Sequence, residues 1–206
     1  MYLAVVLVLN FWLFQVFRLN VFVGLLLFAS TIAIDLWLKH KIDRRLPLLL
    51  FTTLLFLQFQ TTVREPLDSL NLENQLLVQM RLREYPMAHL FESRPEPIIF
   101  FKIQENLGQT LDPNFYFFAN HPRERVGVQE FEKFPYIFLP VLLIGIVHMI
   151  HRKVYKQLLL IAVVPILLLS LIGHKNSLGP LSLFPFLAIA TSYGLAFLHK
   201  KLNAKL

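Results

Sequence analysis

The sequence predicts an all-α polytopic membrane protein with about six transmembrane helices and one long extracytoplasmic loop carrying short helices. Three observations predict it. The 206 residues are 56% hydrophobic and only 16% charged, with a mean hydropathy of +0.57, outside the range of ordinary soluble domains. The apolar residues come in blocks of roughly membrane-spanning length instead of amphipathic stripes. Ten of the twenty Lys and Arg fall in three short segments beside apolar runs: Lys39, Lys41, Arg44 and Arg45; Arg152, Lys153 and Lys156; and Lys200, Lys201 and Lys205. Short basic loops in that arrangement are topology signals, so the net charge of +7 speaks for a bilayer and against a nucleic-acid partner. There is no cysteine, which excludes disulfides and thiolate metal sites.

The three expected divisions are 1–63, with three N-terminal transmembrane helices, 64–134, an extracytoplasmic loop region, and 135–206, with three C-terminal transmembrane helices. The first two apolar spans, 2–17 and 21–38, are separated only by Arg18-Leu19-Asn20. The first has no charged leader and no small-residue cleavage site, so it reads as a poor signal peptide. A span that opens at Met1 suggests a fragment, or a partner that completes the fold. Asp35 lies one helical turn before Lys39, a spacing that predicts an interfacial ion pair. A third span, 46–63, has Pro47 in its first turn, where a missing N–H costs little, and a polar far end at Gln58, Gln60, Thr61 and Thr62.

The segment 64–134 carries eight basic and eleven acidic side chains, a net −3 that leaves +10 for the rest of the chain. Glu65-Pro66-Leu67-Asp68 reads as a helix start, with proline at the first position and acids in the first turn. That helix is expected to end near Glu84, before Pro86. Residues 98–107 followed by Gly108 read as a short helix with a glycine cap, lying along the membrane interface or against the spans, with a buried strand as the alternative.

The last spans are 135–150, 157–173 and 180–198. With six spans, the basic segments 39–45, 151–156 and 199–206 fall on one side. The positive-inside rule then puts both termini in the cytoplasm of a cell (inner) membrane and 64–134 outside. No Asn-x-Ser/Thr acceptor occurs, in keeping with a prokaryotic membrane.

Candidate chemistry gathers in Leu111–Pro135. Within it, Asn120–Gly127 (NHPRERVG) offers a Pro-to-Gly turn that would bring His121, Arg123 and Arg125 together just outside the membrane. Arginine's planar fork suits phosphate, and the upstream run Phe115–Phe118 suits an aromatic belt or a slot for an isoprenoid chain. The competing role for these arginines is pairing with Glu124, Glu130 or Glu132 to pin the loop. Gly173-His174-Lys175-Asn176 lies on the same side, where Lys175 would add a point charge for a phosphate or simply complete a hydrophilic turn. His148 and His151 have a metal-compatible spacing but no carboxylate or thiol beside them, so interfacial anchoring is expected and no metal or cofactor is. No Gly-rich phosphate loop, Ser-x-x-Lys or His-Glu-x-x-His is present, and no catalytic residue can be singled out.

The run DPNFYFF, HPRERVG and EKFPYIFLPVLLIGI, followed by two more spans, resembles the C-terminal half of the GT-C membrane glycosyltransferases. It is similar in particular to bacterial relatives of protein O-mannosyltransferases and lipid A aminoarabinose transferases. His174-Lys175 with Pro180 and Phe184-Pro185 is similar to the His-Lys-Glu signature of related mannosyltransferases. The resemblance covers roughly residues 111–198 and implies a polyprenyl-phosphate-linked sugar as ligand, held by His121, Arg123, Arg125, His174 and Lys175. Two departures stand out. The family's catalytic acid belongs in the first outer loop, which here is Arg18-Leu19-Asn20, and Asn176 stands where the signature has its acid. If the chain is catalytic, its base must come from the long loop, with Asp112, Glu124 and Glu130 as candidates. The rival expectation is a non-enzymatic accessory or assembly subunit whose loop docks a membrane protein partner.

Overall fold

Two asparagines decide how the chain enters the bundle. In the computed structural model, a first helix, α1 (Tyr2–Val8), ends at Leu9, and Asn10 starts a second, α2 (Phe11–Leu19), by accepting the Leu13 N–H at 2.7 Å. Asn20 repeats the device for α3 (Val21–Leu38), accepting the Phe22 and Val23 N–H groups at 3.1 and 3.2 Å. An asparagine side chain in this position satisfies N–H groups that a helix start leaves without partners. The expected uninterrupted span 2–17 is therefore two helices bent by 58°. The structure describes residues 1–64, 66–67, 72–85, 87, 95–118, 133–152 and 155–204.

Among the described residues the regular structure is entirely helical. After α3 come α4 (Arg45–Thr61), α5 (Leu72–Glu84), α6 (Pro95–Leu111), the single turn α7 (Asn114–Phe117), α8 (Phe138–His151) and α9 (Tyr155–Ile172). A 3-10 turn, Leu181–Leu183, then leads into α10 (Phe184–Asn203). All six expected apolar segments are helical. By length and composition two stretches suffice to cross a membrane, Val21–Leu38 and Leu181–Asn203, and the bent α1–α2 pair makes a third if it is one crossing. Their apolar outer surfaces agree: Phe11, Phe14, Phe22, Leu25 and Phe28 stay exposed on α2 and α3, as in a protein whose solvent is lipid. These helices mark a membrane protein.

The prolines sit where helices tolerate them. Pro140 and Pro185 lie in the first turns of α8 and α10, where N–H groups have no intrahelical partner; Pro165 is interior to α9. The proposed glycine stop at Gly108 does not operate. The helix expected over 98–107 is α6, and it runs on through Gly108 to Leu111. The reason is tertiary: α6 packs along α9, and Asn106 and Thr110 are buried there. Glycine allows a helix to end but does not compel it. The strand alternative for this segment is likewise replaced by helix.

The core centres on α10, which buries Phe184, Leu187, Ala188, Ile189, Ala190, Thr191, Ser192 and Gly194. Helix α8 crosses it so closely that a Cβ on Gly145 would overlap the Ala190 carbonyl, and one on Gly194 would overlap the Val141 carbonyl. Small residues permit this approach in lipid, where dispersion contacts replace the hydrophobic effect between helices. Helix α1 lies along α10, and α3 packs on α2, α4 and α10.

The bundle has two chemically different ends. At one, the Tyr2 hydroxyl hydrogen-bonds His199 Nδ1 at 2.8 Å, and Lys39 pairs with the expected Asp35 at 2.5 Å. At the other lie Trp12, Gln58, Thr62, Asn176 and Leu178.

Candidate functional site

The polar end opposite the basic one is built on two left-handed glycines. Gly173 (φ +82°) follows α9 and donates to the Leu169 carbonyl at 2.8 Å, and Gly179 (φ +78°) packs under the Trp12 indole. A side chain at either position would be strained, so these glycines fix the turn between them. Within that turn the Lys175 carbonyl accepts the Val63 N–H at 2.8 Å. The Asn176 amide donates to Thr61 Oγ1 at 2.8 Å while its oxygen accepts the Leu178 N–H at 2.9 Å. Asn176 is thus a buried amide, which needs both a donor and an acceptor and finds them. Gln58, buried on α4, closes the set by donating to Thr62 and accepting the Ser182 N–H.

His174 is buried, and its position is determined by α6. Nε2 lies 2.8 Å from Thr110 Oγ1 and 2.9 Å from the Asn106 carbonyl oxygen. The Thr110 hydroxyl itself donates to that carbonyl at 2.8 Å, so Nε2 faces two oxygens with no other proton to offer and must carry one. In the neutral ring, Nδ1 is then the acceptor. The Tyr116 hydroxyl donates to the Thr110 carbonyl at 2.8 Å, and the Phe115 ring stands edge-on to the imidazole at 5.9 Å. Lys175, the next residue, is exposed. The two members of the His-Lys pair therefore have different surroundings: His174 is locked in a network, while Lys175 faces outward.

A second construction sits beside this one. Asp112 opens α7 by accepting the Asn114 N–H at 2.9 Å. The turn then drives Phe115, Tyr116 and Phe117 into the core. Both Lys133 and Phe134 donate their N–H groups to the Tyr116 carbonyl, at 3.2 and 2.9 Å. The Lys133 ammonium is buried, donating to the Phe115 carbonyl at 2.8 Å and lying 3.6 Å from the centre of the Phe115 ring. A buried cation needs such partners, and the carbonyl and ring face together supply them. Below, Phe117, Phe134, Trp12 and Phe184 interlock with ring centroids 5.3–6.2 Å apart, and the Trp12 indole N–H donates to the Leu178 carbonyl at 2.8 Å. The aromatic run expected to form a belt or an isoprenoid slot is therefore divided: Phe115–Phe117 are core, and Phe118 remains exposed.

His121, Arg123, Arg125, Glu124 and Glu130 lie outside the described residues. Of the candidate bases, Asp112 is engaged in the turn that begins α7. His148 stacks on Phe197 at 4.8 Å, and His151 Nδ1 lies 2.8 Å from the Val147 carbonyl of its own helix. Among the described residues no group of three His, Cys, Asp or Glu side chains could hold a metal ion. Lys133, Thr110, Asn106 and Trp12 were not singled out by sequence reasoning. Lys133 carried one signal, a lone cation directly before the apolar run at Phe134. The others are ordinary residue types whose importance comes only from their neighbours.

The network allows a direct measurement. Thr110→Val keeps the shape and removes the hydroxyl that His174 and Asn106 share. Hydrogen bonds between membrane helices are worth about 0.6–1.7 kcal/mol. The detergent-solubilised variant should unfold at a lower temperature by the equivalent amount, and an unchanged midpoint would show that the network carries no stability.

No protein-family model, curated protein or solved structure matches the chain.

Proposed function

We propose that this chain is a glycosyltransferase-like integral membrane protein of six spans, with both termini on the cytoplasmic side of a cell membrane. It binds a polyprenyl-phosphate-linked sugar at its outer face through His121, Arg123, Arg125 and Lys175. One observation carries the reading. The described stretches on either side of the segment containing the two arginines, ending at Phe118 and resuming at Lys133, are hydrogen-bonded together over a buried aromatic floor. A loop that serves only as a connection does not require a fixed root, whereas one that recognises a ligand gains from a rigid scaffold. The exposed Lys175 follows His174, which meets Phe115 of that root, so a further cation lies in the same neighbourhood.

The test has two arms, one in intact cells and one on the purified full chain. A cysteine introduced at Gln109 should react with an impermeant reagent from outside intact cells, and a reporter after Leu206 should be cytoplasmic. A polyprenyl phosphate should bind the protein in detergent. Labelling at Gln109 only after permeabilisation overturns the topology, and absence of lipid-phosphate binding overturns the ligand.

The second reading, a non-enzymatic accessory subunit, is favoured by α5, where Leu76, Leu77 and Met80 are all exposed. Leu76→Glu with Leu77→Glu should lower the mass of the assembly purified in mild detergent if that face meets a protein partner. The mass is unchanged if it does not.

A further inference from the structure

The basic end of the bundle holds a cavity of about 570 Å³, between the start of α1 and the ends of α3, α8 and α10. Four cations line it: Lys39, Arg152, Lys200 and Lys201. Three separate basic segments of the sequence thus converge on one concave site, although each reads by itself as a topology signal. Among the described residues Asp35 is the acid paired there, with Lys39, and neither Arg152, Lys200 nor Lys201 has a carboxylate within ion-pair distance. The rest of the wall is different in kind. Leu3, Ala196 and Phe197 give it an apolar side, and the Tyr193 ring contributes an aromatic face with a hydroxyl. Like charges brought together round a cavity repel one another, and an anion seated among them reverses the sign of that interaction.

We infer that this cavity is a phosphate-recognition site that holds the headgroup of an anionic phospholipid, with the acyl chains running along the apolar wall. The volume is in the range of pockets that enclose small organic ligands. Arginine grips two phosphate oxygens at once through its planar fork, and the lysines add point charges. Basic pockets between helix ends, at headgroup depth, are the geometry that selects such lipids. The apolar side favours the lipid over a free phosphate ion, which would gain nothing from Leu3 or Phe197. The site lies at the opposite end from the turn that holds His174, so it stands or falls independently of the polyprenyl-phosphate reading.

The experiment is native mass spectrometry of the full chain in detergent, titrated separately with phosphatidylglycerol, phosphatidylcholine and inorganic phosphate. The wild-type protein should retain one phosphatidylglycerol in preference to phosphatidylcholine. At about fivefold per lining cation, on the scale of surface Lys and Arg with anionic lipid, the variant Arg152→Gln/Lys200→Gln/Lys201→Gln should weaken that adduct by about a hundredfold. The control Lys41→Gln/Arg44→Gln/Arg45→Gln removes three positive charges outside the cavity lining and should keep the adduct. Equal loss in both variants means general surface attraction and overturns the site, as does an adduct unchanged by the cavity substitutions or no preference over phosphatidylcholine. Inorganic phosphate binding as tightly as the lipid overturns the lipid assignment. Melting temperature, followed for each variant, guards against a loss caused by unfolding, and any variant that fails to fold is replaced by Arg152→Gln alone, with about a fivefold loss expected.

Discussion

Gly194→Val should dismantle the contact between α8 and α10 and leave a protein that does not survive extraction as a monodisperse species. The reason is where the new atoms would go. A Cβ at Gly194 would overlap the Val141 carbonyl oxygen and approach Val141 Cγ1 at 2.9 Å, and one at Gly145 would overlap the Ala190 carbonyl and approach the Gly194 nitrogen at 2.9 Å. The overlapped carbonyls are backbone atoms of a facing helix, so no rotamer change relieves the overlap and the helices must separate. Overpacking a well-filled core usually costs about 1–3 kcal/mol, and separation of the most extensively packed helix pair belongs at or above the upper end. Alanine at either glycine should already lower the melting midpoint, and valine should abolish a cooperative transition in size-exclusion and thermal assays. Gly108→Ala is the matched control. A Cβ there meets nothing within 4 Å, and the position is inside α6, so the substitution should stabilise by about 0.5–1 kcal/mol. If Gly194→Ala melts like the wild type, the close crossing is not what holds the bundle.

On the proposed function, Arg123→Gln with Arg125→Gln should weaken polyprenyl-phosphate binding by roughly 10²-fold or more while leaving the melting temperature nearly unchanged. Two alternative roles separate cleanly by magnitude. Exposed pairs with Glu124, Glu130 or Glu132 are worth about 0–1 kcal/mol each, so losing them changes little of either property. Charge-assisted bonds to a phosphate in a partly dehydrated site are worth about 1.5–3 kcal/mol each, and tenfold in affinity corresponds to about 1.4 kcal/mol. Binding of the lipid phosphate to both proteins, measured side by side with thermal unfolding, gives the answer. Equal binding removes the arginines from the site, and a large fall in melting temperature without ligand makes them structural. Because Lys133 and Phe134 bind the Tyr116 carbonyl through backbone N–H groups, the loop root remains in the variant, and a loss of affinity can be attributed to the guanidinium groups.

The sequence alone determined the helical class, the positions of six apolar segments and the gathering of basic residues beside them, because hydropathy and charge are properties of the residues themselves. It also predicted the Asp35–Lys39 pair, a matter of helical spacing. Asn10 was legible in principle, since an asparagine before an aromatic-rich helix is a cap, but an unbroken apolar count hid it. What only the tertiary structure decided is how residues far apart in sequence satisfy one another. Helix α6 continues through Gly108 because its Asn106 and Thr110 are buried beside α9, and Phe117 becomes core because Phe134, itself packed on Trp12 and Phe184, comes to meet it. His174 becomes a fixed donor because Thr110 and Asn106, more than sixty residues away, supply both oxygens. Likewise Lys39, Arg152, Lys200 and Lys201 line one cavity only because three helices end at the same level. A buried polar group must find its partners wherever the fold brings them, and local sequence carries no record of which distant residue that will be.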